Sequence, residues 1–417
     1  MRVSPVAIVL MVTAWACSGE RGASWNGSIT DSAGITIVRN PTTGLWGDGE
    51  GWTLTEALRI GSAEGEPEYQ FGQLLPAQSI DIASDGRIVV FDAQGQHIEV
   101  FTPDGKYERT IGQAGNGPGE IGPGQQSQML MAPGDTIFFS DMGNQRVSLW
   151  TLDGTFVRSF PLEVASGILP IRWVSADDGR IVAQMRRIAF PGSTAAPDSM
   201  DAITVRRLDG TVGDTLMRVP SGKTFSITGG LPEWNFFVPE PVWALWGSRI
   251  LYAVNDNYRI GVYQGGVLER VIEKPFTLDP VTDADQLPMK ESLRKLMVAQ
   301  GAPPQVVTQL VSTRMHFAPN YPAFAQMLEG PDSTILVQSI VPVSKLSDEE
   351  RENFDFLSGS MGSREWDVFD DQGRYLGQVT MPLRFQPVKF VGHDVYGIQR
   401  DELDVQYVVK LAIGKPE

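Results

Sequence analysis

From Asp81 onward, short apolar runs alternate with turn residues in a recurring order. Ile82, Ile88-Val-Val-Phe-Asp92, Ile98-Glu-Val-Phe101 and Tyr107-Glu-Arg-Thr-Ile111 are separated by Asp85-Gly86, by Gln94-Gly95 and by Asp104-Gly105. Short β-branched and aromatic runs bounded by Asp-Gly or Gly-containing turns predict consecutive antiparallel strands. The order returns at Met129–Leu162, Trp173–Pro220, Val242–Pro275, Ala325–Pro382 and Val388–Ile413. Six four-stranded antiparallel units in series predict an all-β chain, a six-bladed β-propeller in which each blade packs against its neighbours.

The ring must also close. The sixth unit has room for only three strands, and Trp52–Gly61 ends in the same Ile-Gly as Ile111-Gly112, so it is expected to supply the outermost strand of blade six. Ile35–Arg39 also reads as a strand, without an assigned place. Two segments break the rhythm. In Asp285–Gln300, Met289, Leu293, Leu296 and Met297 share one helical face; in Pro304–Ser312, Val306, Val307, Leu310 and Val311 form an apolar stripe. A helical hairpin at about 283–314 is therefore expected between blades four and five. A second insertion, Pro342–Arg364, holds the capping-box pattern Ser347-Asp-Glu-Glu350 before a polar helix at about 345–357. Both insertions either cover propeller edges or form a lid over the central channel.

Composition narrows the partners and the compartment. A formal charge of −16 argues against nucleic acid or anionic lipid as the main partner, since both require a basic surface. The chain opens with Met1-Arg2, an apolar run from Val6 to Val12 and small residues before Cys17, the pattern of an export signal too short to span a bilayer permanently. Residues 1–16 are read as the signal, 17–28 as a polar tether and 29–417 as the propeller. The bond before Cys17 resembles a bacterial lipoprotein cleavage point, with Cys17 as the lipidated residue, although Ala14-x-Ala16 equally satisfies ordinary signal cleavage. The sequence contains one cysteine, so no disulfide can form within it. The expected location is the cell envelope, with a membrane contact only through the lipid.

The stretch Gly112-Gln-Ala-Gly-Asn-Gly-Pro-Gly-Glu-Ile-Gly-Pro-Gly124 is glycine-rich enough to suggest a phosphate cradle. It lacks the Lys and Ser/Thr of a P-loop, and Glu120 stands where the dinucleotide fingerprint needs glycine. Ile60-Gly61 is likewise followed six residues on by Pro67, as Ile111-Gly112 is by Pro118. Both segments are therefore read as crossovers between blades, with Gly115, Gly117 and Gly119 available for positive φ. His97, His316 and His393 show no close metal-ligand spacing, and no G-x-S-x-G elbow is present. The polar positions expected nearest the channel are Asp81, Gln128, Arg172, Gln326 and Lys389. That set, with one carboxylate and two cations, reads as a hydrogen-bonded ring; no metal site or cofactor is assigned, and calcium in the channel is left open. Trp234, Phe236 and Phe237 in Leu231–Pro241 either pack between blades or form a recognition patch. His316, Asn320, Tyr321 and Arg364 are further candidates at the mouth.

Asp85-Gly-Arg-Ile-Val-Val-Phe-Asp92, Ile98-Glu-Val-Phe101, Asp104-Gly105 and Gly115-Asn-Gly-Pro-Gly-Glu120 resemble the NHL-type repeats of bacterial six-bladed β-propeller proteins. The resemblance is densest over about residues 80–160; the Pro322 approach to blade five and Trp366-Asp-Val-Phe369 extend it. It implies fold more than activity, because such propellers include protein-binding modules, lactone hydrolases and lyases. The expectation is a monomeric extracytoplasmic binding or scaffold module for a protein or small carbohydrate-like ligand. The competing expectation is a metal-dependent enzyme of the lactonase or lyase kind, with its site at the channel.

Overall fold

In the computed structural model, the described residues are 25–47, 50–124, 126–176, 178–188, 199–228, 231–299, 301–352 and 363–414. They form a six-bladed β-propeller. Blade one comprises Ile80–Ile82, Ile88–Asp92, His97–Phe101 and Tyr107–Ile111, each antiparallel to the next. Blade two runs from Gln128–Ala132 to Phe156–Pro161, and blade three from Ile168–Ser175 to Val212–Pro220. Blade four runs from Pro241–Trp246 to Val267–Glu273, and blade five from Met327–Glu329 to Tyr375–Thr380. Blade six consists of Phe385–Val391, Asp394–Arg400, Gln406–Gly414 and, as its outer strand, Thr53–Ile60. The strand Thr53–Ile60 thus closes the ring as the sequence pattern requires.

The apolar runs form these strands because inner and middle strands are covered on both faces by neighbouring blades, so alternation gives way to continuous burial. Ile88–Asp92 and Gln128–Ala132 are buried at every position, whereas the outer strand Tyr107–Ile111 alternates. The core accordingly lies in six wedges. One holds Phe91 and Phe139 edge to face between blades one and two; another holds Trp366 between blades five and six. Trp150, Trp243 and Trp366 are fully buried in such wedges.

Ile35–Arg39 lies parallel to the outer strand of blade four, and Ser28–Ser32 pairs antiparallel beyond it, making this blade six-stranded. The helical hairpin stands between blades four and five, with α1 at Asp283–Ala299 and α2 at Pro304–Arg314. In the second insertion, α3 is the short helix Asp348–Glu352, and Ser347 and Glu350 form the reciprocal capping bonds. The signal segment, Cys17 and most of the tether lie outside the described residues.

Candidate functional site

Inner strands leave one backbone edge facing the channel, and unpaired edges need partners. The channel residues predicted from sequence supply them. Oδ2 of Asp81 in blade one accepts the amide of Met131 in blade two at 2.7 Å, while Lys389 of blade six donates to its other oxygen. Gln128 of blade two donates to the Trp173 carbonyl at 2.6 Å and accepts the Trp173 amide at 2.9 Å. Arg172 of blade three donates to the Trp243 carbonyl of blade four at 2.8 Å, its guanidinium 5.1 Å from the Trp243 ring; burial pushes that guanidinium down to about 10. These four side chains form a chain of clamps from blade six through blade four. In blade five, Gln326 donates to Gln338 at 2.9 Å, and Arg364 donates to the Met381 carbonyl at 2.8 Å.

This donor set does not fit a calcium ion. Asp81 is the one carboxylate of the predicted ring and is already shared between an ammonium and an amide, whereas calcium takes six to eight oxygens. Among the described residues, no group of three His, Cys, Asp or Glu side chains is placed to hold a metal.

The glycine-rich stretch is a crossover between blades one and two whose polar groups are satisfied internally. Glu120 places its carboxylate on the Gly117 amide at 2.6 Å, the Gly115 amide reaches the Ile121 carbonyl, and Arg146 donates to the carbonyls of Gly117 and Glu120. A carboxylate of the chain itself occupies the position a phosphate would take. Gly112 (φ 75°), Gly115 (φ 156°), Gly119 (φ 79°) and Gly124 (φ 158°) take positive φ, and Gly117 does not.

Strand polarity locates the insertions. Because strands alternate in direction within a blade, links between second and third strands and links between blades emerge on one face of the ring. Residues 221–240, 274–326 and 339–364 are all such links, and parts of the three assemble into a cap. Leu231–Phe236 is a strand rather than the expected connector; it pairs with Phe225–Thr228 and runs parallel to Met315–Phe317. Phe236, Phe237, Met289, Leu293, Val307, Val311, Met315, Tyr321 and Val343 form a small apolar core, against which Trp234 packs at partial exposure. The aromatics thus fill the cap core, not a wedge between blades. Val306, expected in the buried stripe of α2, is 47% exposed.

Tyr321 and Asn320 hold the cap in place. The Tyr321 hydroxyl accepts the Val343 amide at 3.1 Å, its ring lies 4.2 Å from that of Phe237, and burial pushes its phenol up; Asn320 bridges to Pro280. The cap also contains an open recess of about 590 Å³ between α1, α2 and the strand Met315–Phe317. Gln286, Lys290 and Arg294 line it at four-residue spacing from α1; Thr308 and Ser312 face them from α2, and His316 and Phe317 complete the wall. Lys290 donates to Gln286 at 3.0 Å and lies 5.3 Å from the Phe317 ring; Arg294 pairs with Glu291. Nε2 of His316 is 3.9 Å from Glu233. The recess therefore offers two cations, hydroxyl and amide groups and an aromatic surface, a set suited to an anionic group attached to an apolar body. Of the predicted candidates only His316 lines it. Lys290 and Arg294 carry little signal in the sequence, because basic residues at helical spacing look like an ordinary solvated face and the same helix holds Asp283, Asp285 and Glu291.

Comparison with known proteins supports the fold. The family model DUF5128, a 6-bladed β-propeller, matches residues 77–123. A Bacteroides fragilis protein classed as exported superposes with a TM-score of 0.51 at 10% identity, covering 91% of this chain and 100% of that one. A DUF4221-family protein from Bacteroides vulgatus gives a TM-score of 0.47 at 12% identity, covering 88% and 99%. A catalytically inactive virginiamycin B lyase from Staphylococcus aureus, solved with quinupristin, gives 0.43 at 10% identity, covering 87% and 99%. No curated protein matches the chain in sequence.

Proposed function

We propose that the chain is an exported, monomeric β-propeller, held to a membrane of the cell envelope through Cys17, that binds an anionic ligand in the cap recess. The observation that carries this reading is the recess lined by Lys290, Arg294, His316 and Phe317 in a chain of net charge −16. The polar ring of the channel is already engaged in holding blades together, which leaves the cap as the face for recognition. The ligand class is a protein segment or a small carbohydrate-like molecule that carries a carboxylate or phosphate.

The test titrates inorganic phosphate and succinate into the purified protein and follows melting and heat of binding. One of the two is expected to stabilise the parent, and the variant combining Lys290→Glu with Arg294→Glu is expected to lose that response. Stabilisation that persists in the double variant, or none in the parent, would count against the recess. Stoichiometric calcium or zinc in the purified protein, with melting that falls on chelation, would favour a metal-dependent enzyme instead. For the anchor, Cys17→Ser should move the protein from the membrane fraction to the soluble one.

A further inference from the structure

We propose that the outer face of α1 docks on the anionic surface of the membrane that holds the chain. This rests on the reading of Cys17 as the anchor. Ser28 is the ladder partner of Arg39, and Arg39 that of Glu273, the last residue in the outer strand of blade four. Two strand spacings amount to about 10 Å, so the tether joins the ring close to the point where Glu273 leads into the cap. The stretch from Cys17 to Ser28 can span at most roughly 40 Å. The blade-four side of the ring, with its cap, is therefore held within reach of the bilayer.

The surface of α1 fits that neighbour. Leu287 is 69% and Val298 44% exposed, whereas Met289 and Leu293 on the opposite side of the helix are buried. At about 100° per residue, Leu287, Arg294 and Val298 fall within roughly 40° of one another; Asp283 and Glu291 lie next to them on either side, and Lys290 and Lys295 lie just beyond. Val306 of α2 adds a further exposed apolar side chain. Between residues 283 and 316 the basic residues are Lys290, Arg294, Lys295 and Arg314, against Asp283 and Glu291 at the surface and the buried Asp285. Apolar side chains among basic ones are what an interfacial helix uses on anionic lipid. In about 0.1 M salt, screening acts over about 10 Å, so the acidic surface elsewhere does not cancel the local attraction.

The test uses the mature chain carrying Cys17→Ser, so that no lipid contributes, and measures co-sedimentation with vesicles at about 0.1 M salt. Vesicles of phosphatidylcholine with about 30% phosphatidylglycerol are compared with phosphatidylcholine alone. The protein is expected to bind the anionic vesicles and not the neutral ones. Leu287→Asp combined with Val298→Asp should weaken binding by about tenfold or more, and Lys295→Glu should weaken it and reduce its salt dependence. Both positions are exposed, so unchanged melting of these variants shows that folding is not the cause. Absence of binding, equal binding to neutral vesicles, or binding undiminished by the double substitution would overturn the proposal. So would a dimer in sedimentation equilibrium that the double substitution dissociates, because the face would then belong to a second copy. Failure with vesicles leaves the anchor untouched, since fractionation of Cys17→Ser cells tests that separately.

Discussion

Glu99 is a carboxyl group with 3% of its surface exposed, on the third strand of blade one; one oxygen reaches the His97 imidazole at 3.2 Å, and the other finds no hydrogen-bond partner among the described residues. Burial pushes its carboxyl up, partly offset by His97, while the hydrogen bond to Glu99 raises His97 above its ordinary value. Both folded pKa values lie above their unfolded ones, so the sign is the same for each. The His97 contribution is complete below about pH 6.5 and is lost as pH rises through its folded pKa. Melting temperature should therefore carry a downward component from about pH 6.5 into the alkaline range, and His97→Gln should flatten it. An identical pH profile in the variant would show that the pair contributes nothing. Alternation along His97–Phe101 marked Glu99 only as a polar residue in a strand; its burial depends on what packs over it.

Among the elements, the helical hairpin depends most on a single side chain. Asp285, fully buried at the start of α1, accepts the Thr282 amide at 2.7 Å and hydroxyl at 2.6 Å, and its other oxygen accepts the Ser344 amide at 2.8 Å from the second insertion. Burial alone would raise this carboxyl, but the bonds from Thr282 and Ser344 outweigh it and hold it at about 2. Its stabilisation is present above the ordinary carboxylate range and is lost only as pH falls through about 2. Asp285→Ala leaves buried donors without an acceptor, at a local cost of about 2 kcal/mol. Limited proteolysis within 283–314 should then quicken by roughly thirty-fold, with the propeller core remaining resistant. Unchanged cleavage would mean that the apolar contacts of Met289, Leu293, Val307 and Val311 hold the hairpin without this bond. The helices themselves were legible from spacing and turn residues. The bond to Ser344 was not, because it joins residues far apart in sequence.

For the whole molecule, the decisive contact joins the ends of the chain. Thr53–Ile60 pairs with Gln406–Gly414, and Ile60 is buried in the wedge between blades six and one. A chain beginning at residue 62 would leave blade six with three strands and a long exposed edge. It is expected to aggregate or to lose cooperative unfolding, and appending residues 25–61 after Gly414 through a flexible linker should restore a monomer. A truncated chain that melts like the parent would show that closure does not depend on this strand. The blades, their order, this closure and the place of the helical hairpin between blades four and five followed from the sequence alone, because a β-meander records its strands as local runs and turns, and Trp52–Gly61 matches the missing fourth strand. Asp81, Gln128, Arg172 and Lys389 could also be placed on inner strands from the pattern of runs and turns, but their role as clamps depends on the backbone of the next blade. Ile35–Arg39 read as a strand without a place, since its parallel pairing with Val267–Glu273 leaves no local signal. The recess is the furthest from local sequence: Lys290, Ser312 and His316 meet only because three links emerge on one face of the ring and bury a common apolar core. Local patterning thus determined the strands and their closure, whereas the candidate site was decided by packing between segments that no short-range pattern connects.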